Sequence, residues 1–142
     1  MKMIEIRRFK EQLFFNACST TISGFWIGTK PFFVISEKSI VSQKADIFHK
    51  TFDGSIQNVP IPTNWKEFHK EYLHNLGLKN KDINEGNFIQ VTFDGKKMEF
   101  YPTKNLGKNQ GSEQILNAKI VIKELSDDII SQTIDLALNL CE

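Results

Sequence analysis

The sequence predicts an α+β fold: a single domain, residues 1–142, with a mostly antiparallel β-sheet packed against two to three α-helices. Three observations predict it: a capped amphipathic helix near the middle of the chain, a hairpin signal after it, and a second amphipathic helix at the end. The length of 142 residues is usual for one domain. The composition, 40% hydrophobic and 25% charged, is typical of globular proteins and excludes disordered and collagen-like chains.

The first part of the chain carries signals for two strands and one helix. Ile4 and Ile6 alternate with charged residues, which indicates a first strand. A helix is expected next from apolar residues at helical spacing: Phe9, Leu13, Phe14 and Ala17. Residues 19–31 are rich in turn formers, Phe32–Ile35 indicates a second strand, and residues 36–63 give no assignment.

The clearest helix begins at Asn64. Asn64 is a favourable N-cap, and Glu67 three positions later completes a pattern like a capping box. Gly77 followed by Leu78 indicates a left-handed C-terminal cap. One buried stripe is expected along this helix: Trp65, Phe68, Tyr72, Leu73 and Leu76.

A β-hairpin is predicted around Asp94-Gly95, a dipeptide that favours a two-residue turn. Such a turn pairs Phe93 with Lys96 and Val91 with Met98. The alternation of the two strands then places one apolar set on a common face: Ile89, Val91, Phe93, Met98 and Phe100. We expect this face to lie on the helix that begins at Asn64.

The C-terminal part is predicted to form a polar loop, a strand and a helix. The loop covers 103–112, the strand lies within 118–125, and Ser126 caps the helix, with Asp127 favourable in its first turn. The buried stripe of this helix is expected to hold Ile130, Ile134, Ala137, Leu138 and Cys141. The opposite, solvated face is expected to hold Asp128, Ser131, Gln132, Asp135, Asn139 and Glu142.

Patterns that carry catalysis or metal binding are weak in this sequence. Cys18 and Cys141 have no CxxC spacing, which excludes a zinc ribbon and a thioredoxin-type motif. His69 and His74 lie about 140° apart around the helix axis and do not form a metal pair. The loop 107–112 has no Lys after its last Gly, so the Walker pattern is absent. We therefore expect no catalytic residue, no metal and no cofactor, and a protein that acts by binding.

Charge and hydropathy restrict the partner and the compartment. The net charge is +1, without the basic surplus usual for a nucleic-acid binder. From Glu113 to Glu142, two lysines stand against six acidic residues, which suggests a basic partner or simply a solvated helix face. No signal-peptide pattern and no long apolar stretch is visible, so we expect a cytoplasmic protein.

The order of these segments resembles the immunity proteins of contact-dependent growth inhibition. The resemblance covers residues 60–142 and rests on WKEFHKEYL (Trp65–Leu73), the hairpin FIQVTFDGKKMEFYPTKN (Phe88–Asn105) and the closing ELSDDIISQTIDLALNLC (Glu124–Cys141). It implies a cytoplasmic, non-enzymatic protein that binds and blocks the C-terminal toxin domain of a contact-delivered effector. It further implies that the toxin is a nuclease, commonly an RNase, whose active cleft is covered.

Acidic side chains are the candidate toxin contacts, because nuclease clefts are usually basic. The candidates are Asp82, Glu85, Asp128, Asp135 and Glu142. The contact residues of the family are not carried over to this chain. Two alternatives remain open: a single-stranded nucleic-acid-binding module that uses exposed aromatic rings, and a small enzyme, such as a nuclease, centred on His49 or His69.

Overall fold

The computed structural model describes residues 1–107 and 110–142, in which seven strands, four α-helices and one short 3-10 helix occur. In chain order they are β1 (Lys2–Phe9), β2 (Gln12–Thr20), β3 (Trp26–Ser36), α1 (Val41–Asp53), α2 (Trp65–Leu76), α3 (Asn80–Glu85), β4 (Asn87–Phe93), β5 (Met98–Asn105), β6 (Ser112–Gln114), the 3-10 helix (Leu116–Ala118), β7 (Ile120–Ile122) and α4 (Asp127–Asn139). The prediction of an α+β fold is confirmed.

The strands form one antiparallel sheet in the order β3-β2-β1-β4-β5-β6. Strand β7 also pairs with β5, so β6 and β7 follow one another along the same edge: β7 opposes Met98–Phe100 and β6 opposes Thr103–Asn105. Strand β3 lies at the other edge. No helix of the described residues is long and apolar enough to cross a membrane.

Helices α1 and α4 cover one face of the sheet, and the main core lies between them and the strands. Phe48 of α1 stacks on Phe100 of β5 with ring centroids 5.9 Å apart. Lys44 of α1 reaches Asp135 of α4 with its Nζ 3.4 Å from the Oδ1 atom. The buried strand residues of this core are Ile4, Ile6, Leu13, Phe15, Ile89, Val91, Met98 and Phe100.

Helix α2 lies on the opposite face, over β2 and β3. There Phe9, Phe14 and Leu76 form a second, smaller buried cluster. The prediction that α2 covers the apolar face of the hairpin is therefore wrong. The alternation of a strand requires that its apolar face be covered, but it does not say which helix covers it.

The helix predicted over Phe9, Leu13, Phe14 and Ala17 is wrong, because these residues belong to β1 and β2. Lys10 and Glu11 adopt positive φ values of 49° and 63°, as in the tight turns that join antiparallel strands. Strand β2 has helices on both faces, and its residues 13–19 are all buried. A strand buried on both faces shows a continuous apolar run instead of alternation, so its apolar residues also match helical spacing.

Two further segments differ from the sequence assignments. Strand β3 begins at Trp26, inside the segment assigned to turns, and α1 fills much of the unassigned range 36–63. The N-cap of α1 is Ile40, whose side chain cannot accept a hydrogen bond. The usual polar start signal of a helix is thus missing from the sequence.

The hairpin of β4 and β5 is confirmed, but its register is shifted by two residues. Phe93 pairs with Met98 and Val91 with Phe100. Asp94 Oδ1 accepts hydrogen bonds from the backbone N–H groups of Lys96 and Lys97, at 2.9 and 3.0 Å, which widens the loop to four residues. Because the shift is an even number of residues, the same side chains still face the core.

The caps of α2 and α4 agree with the predictions. Asn64 accepts a hydrogen bond from the Glu67 N–H, Gly77 is left-handed, and Ser126 accepts from the Ile129 N–H. Two burial predictions are wrong: Trp65 is exposed, and Ser131 is buried where α4 packs. Lys108 and Asn109, in the middle of the predicted polar loop, lie outside the described residues.

Candidate docking surface

A groove of about 690 Å³ lies between α2 and β3, within the 300–1,000 Å³ range usual for sites that hold a compact ligand. The walls of the groove are mostly apolar. Its apolar lining comprises Pro31, Phe32, Ile56, Val59, Phe68 and Tyr72, together with Gly28, which packs against the Tyr72 ring, and Gly54, which lies against Lys30 and Pro31.

The position of Tyr72 determines how closely α2 approaches the sheet. Its hydroxyl donates to Asn16 Oδ1 at 3.0 Å, and its ring meets Phe32 edge-on with centroids 5.8 Å apart. The ring lies directly over Gly28, where a Cβ atom would stand 2.6 Å from Tyr72 Cε2. Because Gly28 has no side chain, the Tyr72 ring can pack directly against β3.

Three aromatic residues continue from the groove to the surface, and we call them the aromatic strip: Phe25, Trp65 and Phe68. The ring centroids of Phe25 and Trp65 are 6.0 Å apart, and those of Trp65 and Phe68 are 5.8 Å apart. Phe25 is 42% exposed and Trp65 is 49% exposed. Large aromatic side chains that remain half in water are typical of protein interfaces, where Trp and Tyr are enriched.

Charged groups stand on both walls of the groove. Lys30 is on β3 and Glu71 is on α2, and both line the groove and are exposed. Neither forms an ion pair within the part of the chain that the structure describes. The deeper polar groups are satisfied internally, since the Ser19 and Thr29 hydroxyls lie 2.8 Å apart and Ser19 Oγ accepts from the Ile56 N–H.

A polar cluster lies beneath α2 and α3 on the same face of the sheet. Arg7 is only 6% exposed; its Nη1 donates to the Ile83 carbonyl at 3.2 Å, and its guanidinium lies 4.7 Å from the Phe88 ring centroid. Burial, and then the nearby Glu5 carboxylate, raises the pKa of the Cys18 thiol well above its ordinary value. The Cys18 thiol therefore stays protonated at neutral pH and is a poor nucleophile.

Three of the five predicted acidic contacts lie near one end of the sheet. Asp82 and Glu85 are on α3, and Asp82 Oδ2 accepts from the Lys79 N–H at 2.9 Å. Asn105 of β5 links α3 to the C-terminus, because its side chain donates to the Asn84 carbonyl and its N–H donates to the Glu142 carbonyl. The structure thus brings Glu142 close to α3.

The other two predicted acidic residues lie elsewhere. Asp128 is in the first turn of α4, and Asp135 is paired with Lys44 in the contact between α4 and α1. Asp128 is about 16 Å along the helix from Asn139, at the rise of an α-helix. The five acidic residues therefore do not form one patch.

The histidines do not converge on a common centre. His49 is on α1, His69 Nε2 lies 2.7 Å from Asn80 Oδ1, and His74 is in the last turn of α2. Among residues 1–107 and 110–142, no group of three His, Cys, Asp or Glu side chains is placed to hold a metal ion.

The sequence predicts one wall of the groove but not the other. The helical stripe predicted Phe68 and Tyr72, but Phe25, Gly28 and Lys30 fell in the segment assigned to turns. The available signal was the pair Phe25-Trp26 between Gly24 and Gly28, because adjacent aromatic residues in an extended chain point to opposite faces.

Comparison with known proteins shows a shared fold. No family model matches the chain, and no curated protein matches it by sequence. A solved structure of a protein of unknown function from Neisseria meningitidis is similar, with a TM-score of 0.79 and 12% identity over 99% of this chain and 95% of that one. A chain of the CdiA-CT/CdiI toxin and immunity complex from Yersinia pseudotuberculosis is also similar, with a TM-score of 0.76 and 10% identity over 99% and 97%.

Proposed function

We propose that this chain is an immunity protein of contact-dependent growth inhibition, which binds the C-terminal toxin domain of its cognate effector and neutralises it. The observation that carries the proposal is the fold similarity, over 99% of this chain, to a chain in a toxin and immunity complex. The order of the segments in residues 60–142, which resembles that of the same family, agrees with this proposal.

Neutralisation would occur by occlusion. The toxin domain is proposed to be a nuclease, most simply an RNase, and the bound immunity protein covers its active cleft and excludes the nucleic acid. The chain performs no chemistry itself and acts in the cytoplasm. An interface of standard size covers about 800 Å² per partner, about a tenth of the 8161 Å² surface of this chain.

Acidic side chains would assist the encounter with a basic cleft. The proposed residues are Asp82, Glu85, Asp128, Asp135 and Glu142. Their charge would increase the rate of association and orient the partners more than it would lengthen the life of the complex.

Co-expression tests the proposal. The toxin domain encoded immediately upstream is induced with and without this chain, and growth is followed. We expect growth arrest with the toxin alone, rescue by this chain, and a one-to-one complex of the purified pair by gel filtration with light scattering. Absence of both rescue and complex formation would show that the proposal is wrong.

The exposed aromatic strip favours a second candidate, a module that binds single-stranded nucleic acid by stacking bases on Phe25 and Trp65. It predicts that a fluorescent oligonucleotide binds the free protein with an affinity that falls steeply with added salt. The immunity proposal predicts no such binding, so one titration at low salt separates the two candidates.

A further inference from the structure

We propose that the toxin domain docks on the aromatic strip and the adjoining groove. We further propose that the docking element of the toxin carries an apolar side chain between one acidic and one basic residue. This inference rests on the proposed function, because it takes the toxin domain as the partner. The proposed docking site lies on the face of the sheet that carries α2, whereas the acidic residues of α4 lie on the opposite face.

The exposure of the strip is the first step of the argument. Trp65 is half in water although it sits in the first turn of a well-capped helix, where a polar residue would stabilise the helix equally well. Phe25 lies against it from the turn before β3, so two separate segments of the chain present aromatic rings at one place. Such clusters of large exposed apolar groups mark contact sites on soluble proteins.

The groove supplies the shape that a flat patch lacks. Phe68 contacts Trp65 and also lines the groove together with Tyr72, so the strip and the groove adjoin one another at Phe68. Because Gly28 carries no side chain, the Tyr72 ring packs directly against β3 at this position and lines the groove. A protruding apolar side chain of a partner fits this shape, and pockets of this kind hold the anchor residues of protein complexes.

The charges on the two walls determine the chemistry of the flanking residues. Lys30 and Glu71 stand on opposite walls and form no ion pair among the described residues. An apolar segment entering between them is matched best if it carries an acidic group toward Lys30 and a basic group toward Glu71. Such complementary charges fix orientation and exclude wrong partners.

Binding of purified variants to an inactivated form of the upstream-encoded toxin domain tests the inference. We expect Trp65→Ala to raise the Kd about 30-fold or more, as loss of a central anchor does. Trp65→Phe should restore much of the affinity. The control Leu136→Ala removes an equally exposed apolar side chain from α4, on the other face of the sheet, and should leave the Kd within about twofold.

The charged residues are tested by reversal. Lys30→Glu and Glu71→Lys should each slow association at low salt, whereas Lys38→Glu, an exposed lysine beyond the end of β3, should not. Unfolding of each free variant in urea checks that it is folded, and Trp65→Ala is expected to remain so because its side chain is half exposed.

The outcomes are distinguishable. If the unchanged chain binds the toxin domain but Trp65→Ala binds equally well, the docking site is wrong and the proposed function stands. If the charge reversals have no effect while Trp65→Ala does, the flanking chemistry is wrong. If the unchanged chain binds no toxin domain, the proposed function and this inference fall together. Dimerisation of the free chain that Trp65→Ala abolishes, or oligonucleotide binding at the strip, would assign the surface to another occupant.

Discussion

At the scale of single residues, the contact between Tyr72 and Gly28 shows how one missing side chain shapes the candidate site. Tyr72 is held at its hydroxyl by Asn16 and at its ring by Phe32, so the ring has little freedom to move aside. The distance of 2.6 Å from a Cβ at position 28 to Tyr72 Cε2 is shorter than any ordinary contact between carbon atoms. A larger residue at position 28 must therefore displace α2 or break the hydrogen bond.

Replacement Gly28→Ala is expected to lower the free energy of unfolding by about 1–3 kcal/mol, the usual effect of overpacking. The midpoint of urea unfolding measures it. The same replacement in a Tyr72→Ala background is the control, because the clash is then absent and the penalty should vanish. An equal penalty in both backgrounds would mean that the clash is not its cause.

The pair Tyr101 and Glu99 on the open face of β5 predicts an unusual alkaline titration. The Tyr101 hydroxyl donates to Glu99, which raises the pKa of Tyr101 to about 12 and lowers the pKa of Glu99. Burial raises the pKa of Tyr72, the second of the two tyrosines, as well. The folded protein should thus show almost no tyrosinate absorbance near the ordinary tyrosine pKa of about 10.

Replacement Glu99→Gln should shift the Tyr101 titration down toward its ordinary value and leave Tyr72 unchanged. Because the pKa of Tyr101 is higher in the folded than in the unfolded chain, its contribution to stability is complete below about pH 10 and is lost as the pH rises toward about 12. Glu99 has the opposite sign: its contribution is present above its ordinary pKa and is lost as the pH falls through the lowered value. An unchanged tyrosinate curve in Glu99→Gln would contradict this assignment.

At the scale of elements, the helices differ in how they begin. Helices α2 and α4 begin at polar N-caps, Asn64 and Ser126, whose side chains accept hydrogen bonds from backbone N–H groups. Helix α1 begins at Ile40, which has the extended backbone of an N-cap, φ −64° and ψ 156°, but no acceptor. Tertiary packing, through Phe48 and Phe52 in the core, stabilises α1 in place of a local cap.

Capping variants test this difference. Ile40→Ser should be more stable than the matched control Ile40→Ala by about 1 kcal/mol, since both remove the 70% exposed isoleucine and only serine can cap. Ser126→Ala should lose a similar amount at α4. Denaturant unfolding measures both changes in stability, provided that the m-value is unchanged. Equal stability of the serine and alanine variants at position 40 would contradict the argument.

The same difference explains which elements could be predicted from the sequence. Helices α2 and α4 and the β4–β5 hairpin carry their signals locally, in caps, stripes and the Asp-Gly turn. Strand β2 and helix α1 carry no such local signals. Strand β2 is buried on both faces, so its apolar residues match helical spacing, and α1 lacks a polar N-cap. The β3 wall of the candidate groove was missed because Gly24 and Gly28 suggested turns, although Gly28 lies within a strand and serves a close contact.

At the scale of the whole molecule, the sheet separates two surfaces of different character. Helices α1 and α4 cover one face, and α2 and α3 partly cover the other, next to the groove and the aromatic strip. Of the acidic candidates, Asp82 and Glu85 lie on the strip side, since α3 contacts Arg7 on that face, whereas Asp128 and Asp135 lie on α4. A partner that docks on the strip side should sense the first pair more strongly than the second.

Charge neutralisation distinguishes the two sides. Asp82→Asn with Glu85→Gln should lower the association rate constant with the toxin domain several-fold at low salt, and the difference should shrink as salt screens the charges. Asp128→Asn with Asp135→Asn is the control of equal charge change, and stopped-flow fluorescence measures both. A larger effect of the α4 pair would place the docking surface on the opposite face.

The sequence by itself determined the α+β class, the caps of α2 and α4, the position of the hairpin turn around Asp94-Gly95 and the set of hairpin residues that must be buried, because each depends on chemistry within a few residues. The tertiary structure alone decided which helix covers which face, that Gln12–Thr20 is a strand, and that Trp65 faces water beside Phe25. These features depend on which distant segments meet. Local periodicity states that a face must be buried, but only the packed chain determines what buries it and which apolar groups are left for a partner.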